Sequence, residues 1–274
     1  MRYEHYDDEH RKTLATNHVY KYRTDILFKW LYEFKFTDYM TAFRLIGLDK
    51  SKGGYRFIRT HIEKGFLVRF NNVQLGDKVN LITLTPDGVN YLKAHGMIDE
   101  FDPYIRLKRL QNNSNMYHHL GTQMAVYDQL HSRGSWFLEG HHSYVEWESK
   151  QGDIRVDALI TFKPNLDNEY YWTLTGYRPV IRRYAIEFER SSKSNKRIYY
   201  LLKEHDRNIE LRDKYDGVLY YFDDPSIKAF YAKKFTQDVW PEFSLSKQSH
   251  RVVKTLREYT PKHPKSFMFV ALED

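Results

Sequence analysis

Three carboxylates stand where a chain would ordinarily put apolar side chains: Asp157 inside "IRVDALITF", and Glu187 and Glu189 inside "YAIEFER". Both stretches read as strands. Side chains alternate with period two along a strand, so Glu187 and Glu189 project to one face. Asp157 falls mid-strand and Glu187 mid-strand in the next clear strand, a separation that permits neighbouring strands. Carboxylates are costly to desolvate and need a cation or basic partners when they gather on a sheet. Oxygen-only ligands favour Mg2+ or Mn2+. Such an ion orients water and offsets charge on a phosphodiester during displacement. Glu146 and Glu148, on the preceding strand, are candidates for a third ligand, the alternative being a strand face turned to water.

Other chemistries are tested by the motifs they require. The chain has no cysteine, which removes disulfides, thiolate zinc sites and cysteine nucleophiles together and points to the cytoplasm. The metal-binding histidine pair of tyrosine-nucleophile nicking enzymes needs one residue between its members, and "HHL" and "HHS" lack that spacing. Tyr199 and Tyr200 are the first tyrosines to follow the carboxylates in sequence. No G-x-x-x-x-G-K-[ST], G-x-G-x-x-G or G-x-S-x-G occurs, which argues against a P-loop motor, a dinucleotide fold and a serine hydrolase.

The elements that must position these carboxylates follow from periodicity. "MYHHLGTQMAVYDQLHSRG" is a helix with Met116, Leu120, Met124, Tyr127 and Leu130 on one face, closed by Gly134. "SYVEWES" and "IRVDALITF" form a hairpin around "KQGD", and "YAIEFER" is a third strand. The helix "KSNKRIYYLLKEHDRNIELRDKY", the strand "DGVLYYFDD", the helix "PSIKAFYAKKFTQDVW" and the strand "PKSFMFVALED" complete an α/β sandwich with a mixed sheet.

Upstream, Ile26, Leu27, Trp30 and Leu31 mark one helix and Met40, Phe43 and Leu45 a second. Asp49 or Ser51 caps a third, with Phe57, Ile58 and Ile62 as its apolar stripe and Lys52, Tyr55, Arg56, Arg59 and Lys64 over the rest. Gly65 ends it. "FLVRF" and "VNLITLT" follow as two strands, then a helix capped by Thr85 with Pro86 at its first position. We divide the chain into residues 1–96, a linker at 97–114, and residues 115–274.

With 43 Lys and Arg against 36 Asp and Glu, the net charge is +7 and the pI about 9.2, a balance suited to a polyanion. The N-terminus has no apolar stretch of a secretory signal, and no run of apolar residues is long enough to span a membrane.

Three helices, a two-stranded wing and a trailing helix resemble winged-helix DNA-binding domains, down to "IEKGFLVR" and "LTPDGVNYL". That resemblance implies contact with double-stranded DNA through Lys52, Tyr55, Arg56 and Arg59, with Arg69 and Lys78 on or near the wing. Winged helices also serve as protein-interaction modules.

The order of motifs in the second half resembles the restriction-endonuclease-like fold. More narrowly, over roughly Tyr22 to Phe222, the chain looks like the replication-relaxation family of plasmid proteins, itself similar to a class of conjugative relaxases. The resemblance implies a metal-dependent DNA-nicking protein acting at a plasmid origin, with other mobilisation or replication proteins as partners. Asp157 and Glu187 would bind the ion with Glu148 as a further ligand, and Glu189 would bind or orient water. Arg190, Lys193 and Lys196 would contact phosphate, and His119 matches a position where the family often has histidine, as ligand or base.

Two departures stand out: Val156 replaces a proline, and Glu189 occupies the place of the lysine that positions water in restriction-type nucleases. Lys193 or Lys196 can reach back in, or Arg190 can supply the charge; otherwise Arg190 simply neutralises Glu189. Two rival readings follow, a non-catalytic DNA-binding initiator or accessory factor on a degenerate nuclease fold, and a defence nuclease cutting both strands.

Overall fold

The computed structural model describes residues 16–48, 52–99, 107–132, 144–148, 150–151, 154–162, 181–211, 214–246 and 251–272. It is a mixed α/β protein of two compact units, residues 1–143 and 144–274. The caps expected at Asp49 and Ser51, the closing Gly134, and the side chains of Lys52 and Lys78 lie outside what is described.

In the first unit, α1 (Thr16–Phe34) leads through β1 (Thr37–Asp38) into α2 (Tyr39–Leu45) and α3 (Lys52–Glu63). Strands β2 (Leu67–Asn72) and β3 (Gly76–Leu84) follow, then α4 (Pro86–Ala94), α5 (Leu107–Gln111) and α6 (Met116–Ser132). Helix α1 forms because Ile26, Leu27, Trp30, Leu31 and Phe34 recur on one side, and all five are buried. Burying each such side chain contributes about 1.5–3 kcal/mol. Asp38 caps α2 by accepting from the Thr41 amide and hydroxyl, both at 2.9 Å. Thr85 caps α4, which has Pro86 at its start.

The short strand β1, absent from the sequence reading, pairs with β3 to give a three-stranded sheet in the order β1-β3-β2. Gly65 ends α3 at φ +77°. Gly88 has another reason: a Cβ there would come within 2.4 Å of the Phe66 carbonyl.

Helix α6, expected to open the second domain, belongs to the first unit. Its buried Gln123 accepts from the Trp30 indole at 3.0 Å and donates to the Phe36 carbonyl at 2.9 Å, tying α6 to α1 and the chain before β1. Residues 107–113, inside the segment read as a linker, are held as well. Buried Asn72 donates to the carbonyls of Leu110, Gln111 and Asn113 at 2.9–3.1 Å.

The second unit is built on a five-stranded mixed sheet, β12-β9-β8-β7-β4, from β4 (Tyr144–Trp147), β7 (Ala158–Phe162), β8 (Arg182–Glu189), β9 (Gly217–Phe222) and β12 (Phe267–Ala271). Strands β4, β7 and β8 pair antiparallel, whereas β8, β9 and β12 run parallel. Helix α7 (Asn195–Glu210) makes the crossover from β8 to β9, and α8 (Pro225–Phe235) follows β9. Ile198, Tyr199, Leu202 and Ile209 of α7 share a buried core with Val218, Tyr220 and Phe222 of β9 and Tyr231 of α8.

A second hairpin, β10 (Trp240–Leu245) with β11 (Val252–Tyr259), was not anticipated. It is anchored to α7 by Lys203, which donates to the Phe243 carbonyl at 2.8 Å, and by Tyr199 stacked on Phe243. Asp206 accepts from the Tyr259 hydroxyl and from the amides of Lys262 and His263, all at 2.7–2.8 Å, fixing the turn beyond β11.

Candidate functional site

The expected hairpin exists, but "IRVDALITF" is not one strand. Strands β5 (Lys150–Gln151) and β6 (Ile154–Arg155) pair at its tip, and the ladder breaks before β7 resumes at Ala158. Asp157 therefore sits at an interruption and not mid-strand. The reason is local: Glu148, opposite it, has φ +49°, and the Asp157 side chain takes a ladder hydrogen bond itself, Oδ2 accepting from the Phe188 amide at 2.8 Å. The Glu148 amide still donates to the Asp157 carbonyl at 2.9 Å.

Register gives the candidates one line. Ala158 faces Ile186, so the next step along the two strands sets Asp157 opposite Glu187. Glu187 in turn faces Tyr220 and Glu189 faces Phe222, residues whose rings belong to the core under α7 and α8. The two glutamates are thus on the helix-covered side of the sheet and are only 4% and 3% exposed.

Burial and the neighbouring Asp157 charge push the Glu187 carboxyl well above the usual carboxylate range, with a further push from Glu189 and opposition from Lys193 and Arg197. Its Oε1 is buried without a hydrogen bond; Nε2 of His205 lies 3.3 Å away, off the line of one. His205 is itself wholly buried, which with the Lys193 charge pushes its pKa down to about 3.

Lys193 is the cation of the group. It donates to Glu189, and although burial alone would lower its pKa, Glu189, Glu187, that hydrogen bond and Asp157 hold it above the ordinary lysine value. Arg190 pairs with Asp223 at 3.6 Å, so the role of neutralising Glu189 belongs to Lys193. Lys196 is exposed, and Arg197 stacks over the Tyr200 ring at 5.4 Å.

The structure therefore brings Asp157, Glu187, Glu189 and Lys193 together. Glu148 is exposed, and Glu146 lies 3.8 Å from Arg183. His119 is in the first unit, buried and edge-on to Phe36. No group of three or more His, Asp or Glu among the described residues is arranged to hold a metal.

Asp157 and Glu187 are the two carboxylates that would hold an ion such as Mg2+, which one or two carboxylates suffice to bind. A desolvated carboxyl repelled by a second one, with an unsatisfied buried oxygen, is the environment a cation would relieve.

Sequence reasoning passed over His205 and Tyr215. The available signal was a histidine on the apolar stripe of α7, in line with Ile198 and Leu202.

In the first unit, Tyr55 of α3 is 48% exposed and rests against Phe43 and Tyr39. Arg56, Arg59 and Arg69 are exposed, and Arg59 pairs with Glu63 at 2.8 Å. Among the described residues no helix is long and apolar enough to cross a membrane.

Comparison with known proteins returned no matching family model, no matching curated protein and no matching solved structure.

Proposed function

We propose that the protein is a sequence-specific DNA-binding, Mg2+- or Mn2+-dependent nicking enzyme of plasmid mobilisation or replication, a winged helix joined to a restriction-endonuclease-like domain. The observation that carries the reading is the group itself: Asp157 opposite a desolvated Glu187, with Lys193 at Glu189. Asp157 and Glu187 hold the ion, which supplies Lewis-acid stabilisation of phosphate when bound. Lys193, from the turn after β8, supplies the positive charge that a lysine at position 189 would have supplied, and Glu189 fixes its ammonium. The exposed cations of α3 and β2 serve DNA contact.

The test is relaxation of supercoiled plasmid carrying candidate origins, with and without Mn2+. Relaxed circles are expected from the native chain and none from Asp157→Ala. Nicking by Asp157→Ala at the native rate would refute the assignment, and linear duplex product would make the protein a double-strand nuclease.

A second reading is favoured by a specific observation. A Glu187 whose burial disfavours its charged form and a Glu189 paired with Lys193 also describe a nuclease fold turned scaffold, with DNA binding retained. It predicts specific, salt-sensitive binding and no metal-dependent nicking under any of these conditions.

A further inference from the structure

Behind Glu187 lies a chain of buried polar groups that the proposed chemistry leaves unused. Nδ1 of His205 is 2.7 Å from the Tyr215 hydroxyl. Nδ2 of Asn208 is 3.1 Å from that same hydroxyl and 3.2 Å from the Gln151 carbonyl. Asn208, His205 and Tyr215 are 5%, 0% and 1% exposed, so water does not compete for these bonds.

Proton bookkeeping fixes every donor. The Gln151 carbonyl can only accept, so the nitrogen of the Asn208 amide must face it, and that amide group can only donate to Tyr215. The hydroxyl, accepting from Asn208, gives its own proton to Nδ1 of His205. A neutral ring that accepts at Nδ1 carries its hydrogen on Nε2, the atom 3.3 Å from Oε1 of Glu187.

We infer that His205 is a positioning residue for Glu187: Asn208 and Tyr215 lock the Nε2–H tautomer, which holds the ring N–H against Oε1 at 3.3 Å, short of a hydrogen bond, and so fixes how the carboxylate is turned toward the ion. Partners of this kind orient metal ligands and raise affinity by about 10–100-fold. The inference rests on Glu187 being a metal ligand, as proposed above.

The experiment uses the full chain labelled with 15N at histidine. Long-range 1H–15N correlations assigned to His205 by their loss in His205→Gln are expected to show a protonated Nε2 and a bare Nδ1 in the native chain, and to lose that pattern in Tyr215→Phe. A proton on Nδ1, or an imidazolium, at neutral pH overturns the inference.

Mn2+ affinity, read from the EPR signal of the free ion, gives the second arm. Tyr215→Phe and His205→Leu are expected to weaken it about 10–100-fold, and His205→Gln, which keeps an N–H donor, to retain most of it. Native affinity in both weakened variants also overturns the inference. If the native chain binds no Mn2+, the metal reading falls, while the tautomer spectrum still decides whether His205 orients Glu187.

Discussion

Glu187 shows how one buried carboxyl makes stability depend on pH and, on the proposed function, on metal. Its pKa is raised in the folded chain, so the fold favours the protonated form. Below the ordinary glutamate range both folded and unfolded chains are protonated and the group contributes no pH dependence. As pH rises from there through the raised folded value, ionisation is penalised only in the folded chain and stability is lost. Glu187→Gln removes that loss, and in metal-free buffer at neutral to alkaline pH it is expected to raise the melting temperature by roughly 2–4 °C. Mg2+ or Mn2+ should stabilise the native chain and not the variant, and thermal melts across pH with and without metal check both statements. The pairing of Asp157 with Glu187 was legible in the sequence, because strand periodicity and an intervening length suited to neighbouring strands are local signals. The hand-over of Glu189 to Lys193 was open among three cations, since which side chain folds back over a strand end depends on where the turn places it. The sequence likewise cannot show that Arg190 is taken by Asp223, a residue 33 positions away at the end of β9.

Among the elements, the helices were the readable part. The apolar stripes of α1 and α7 and the Thr85–Pro86 start of α4 carry their own signals and stand where expected. Hairpin β10–β11 escaped because its exposure does not alternate: the register shifts between Pro241 and Phe243, and Leu256 is fully exposed. Helix α6 was legible as a helix but not as a member of the first unit, because its attachment depends on Gln123 meeting Trp30, 93 residues away. Close packing of α4 offers a direct check. At Gly88 an added methyl meets the Phe66 carbonyl and the Leu84 side chain, so Gly88→Ala is expected to destabilise the fold by about 1–3 kcal/mol. Urea unfolding should show a lower midpoint with an unchanged slope, and an undiminished midpoint would mean that α4 and the chain after α3 yield more easily than backbone should.

On the scale of the molecule, the charge of +7 and the exposed arginines of α3 and β2 would, on the proposed function, make DNA affinity a matter of counterions. Each phosphate contact contributes about −0.9 to the slope of log affinity against log salt. The double variant Arg56→Ala with Arg69→Ala is expected to flatten that slope by about 1.8 in a titration with a cognate duplex. An unchanged slope would remove α3 and β2 from the DNA contact. The sheet that seats Glu187 carries a different consequence. Both neighbours of β9 run parallel to it, and each is reached only through a long excursion, α7 on one side and α8 with the β10–β11 hairpin on the other. Loop closure precedes any reward from such pairings, so this unit is expected to fold slowly for its size. During that interval β8 and β9 expose unpaired edges, so the refolding yield is expected to fall as chain concentration rises.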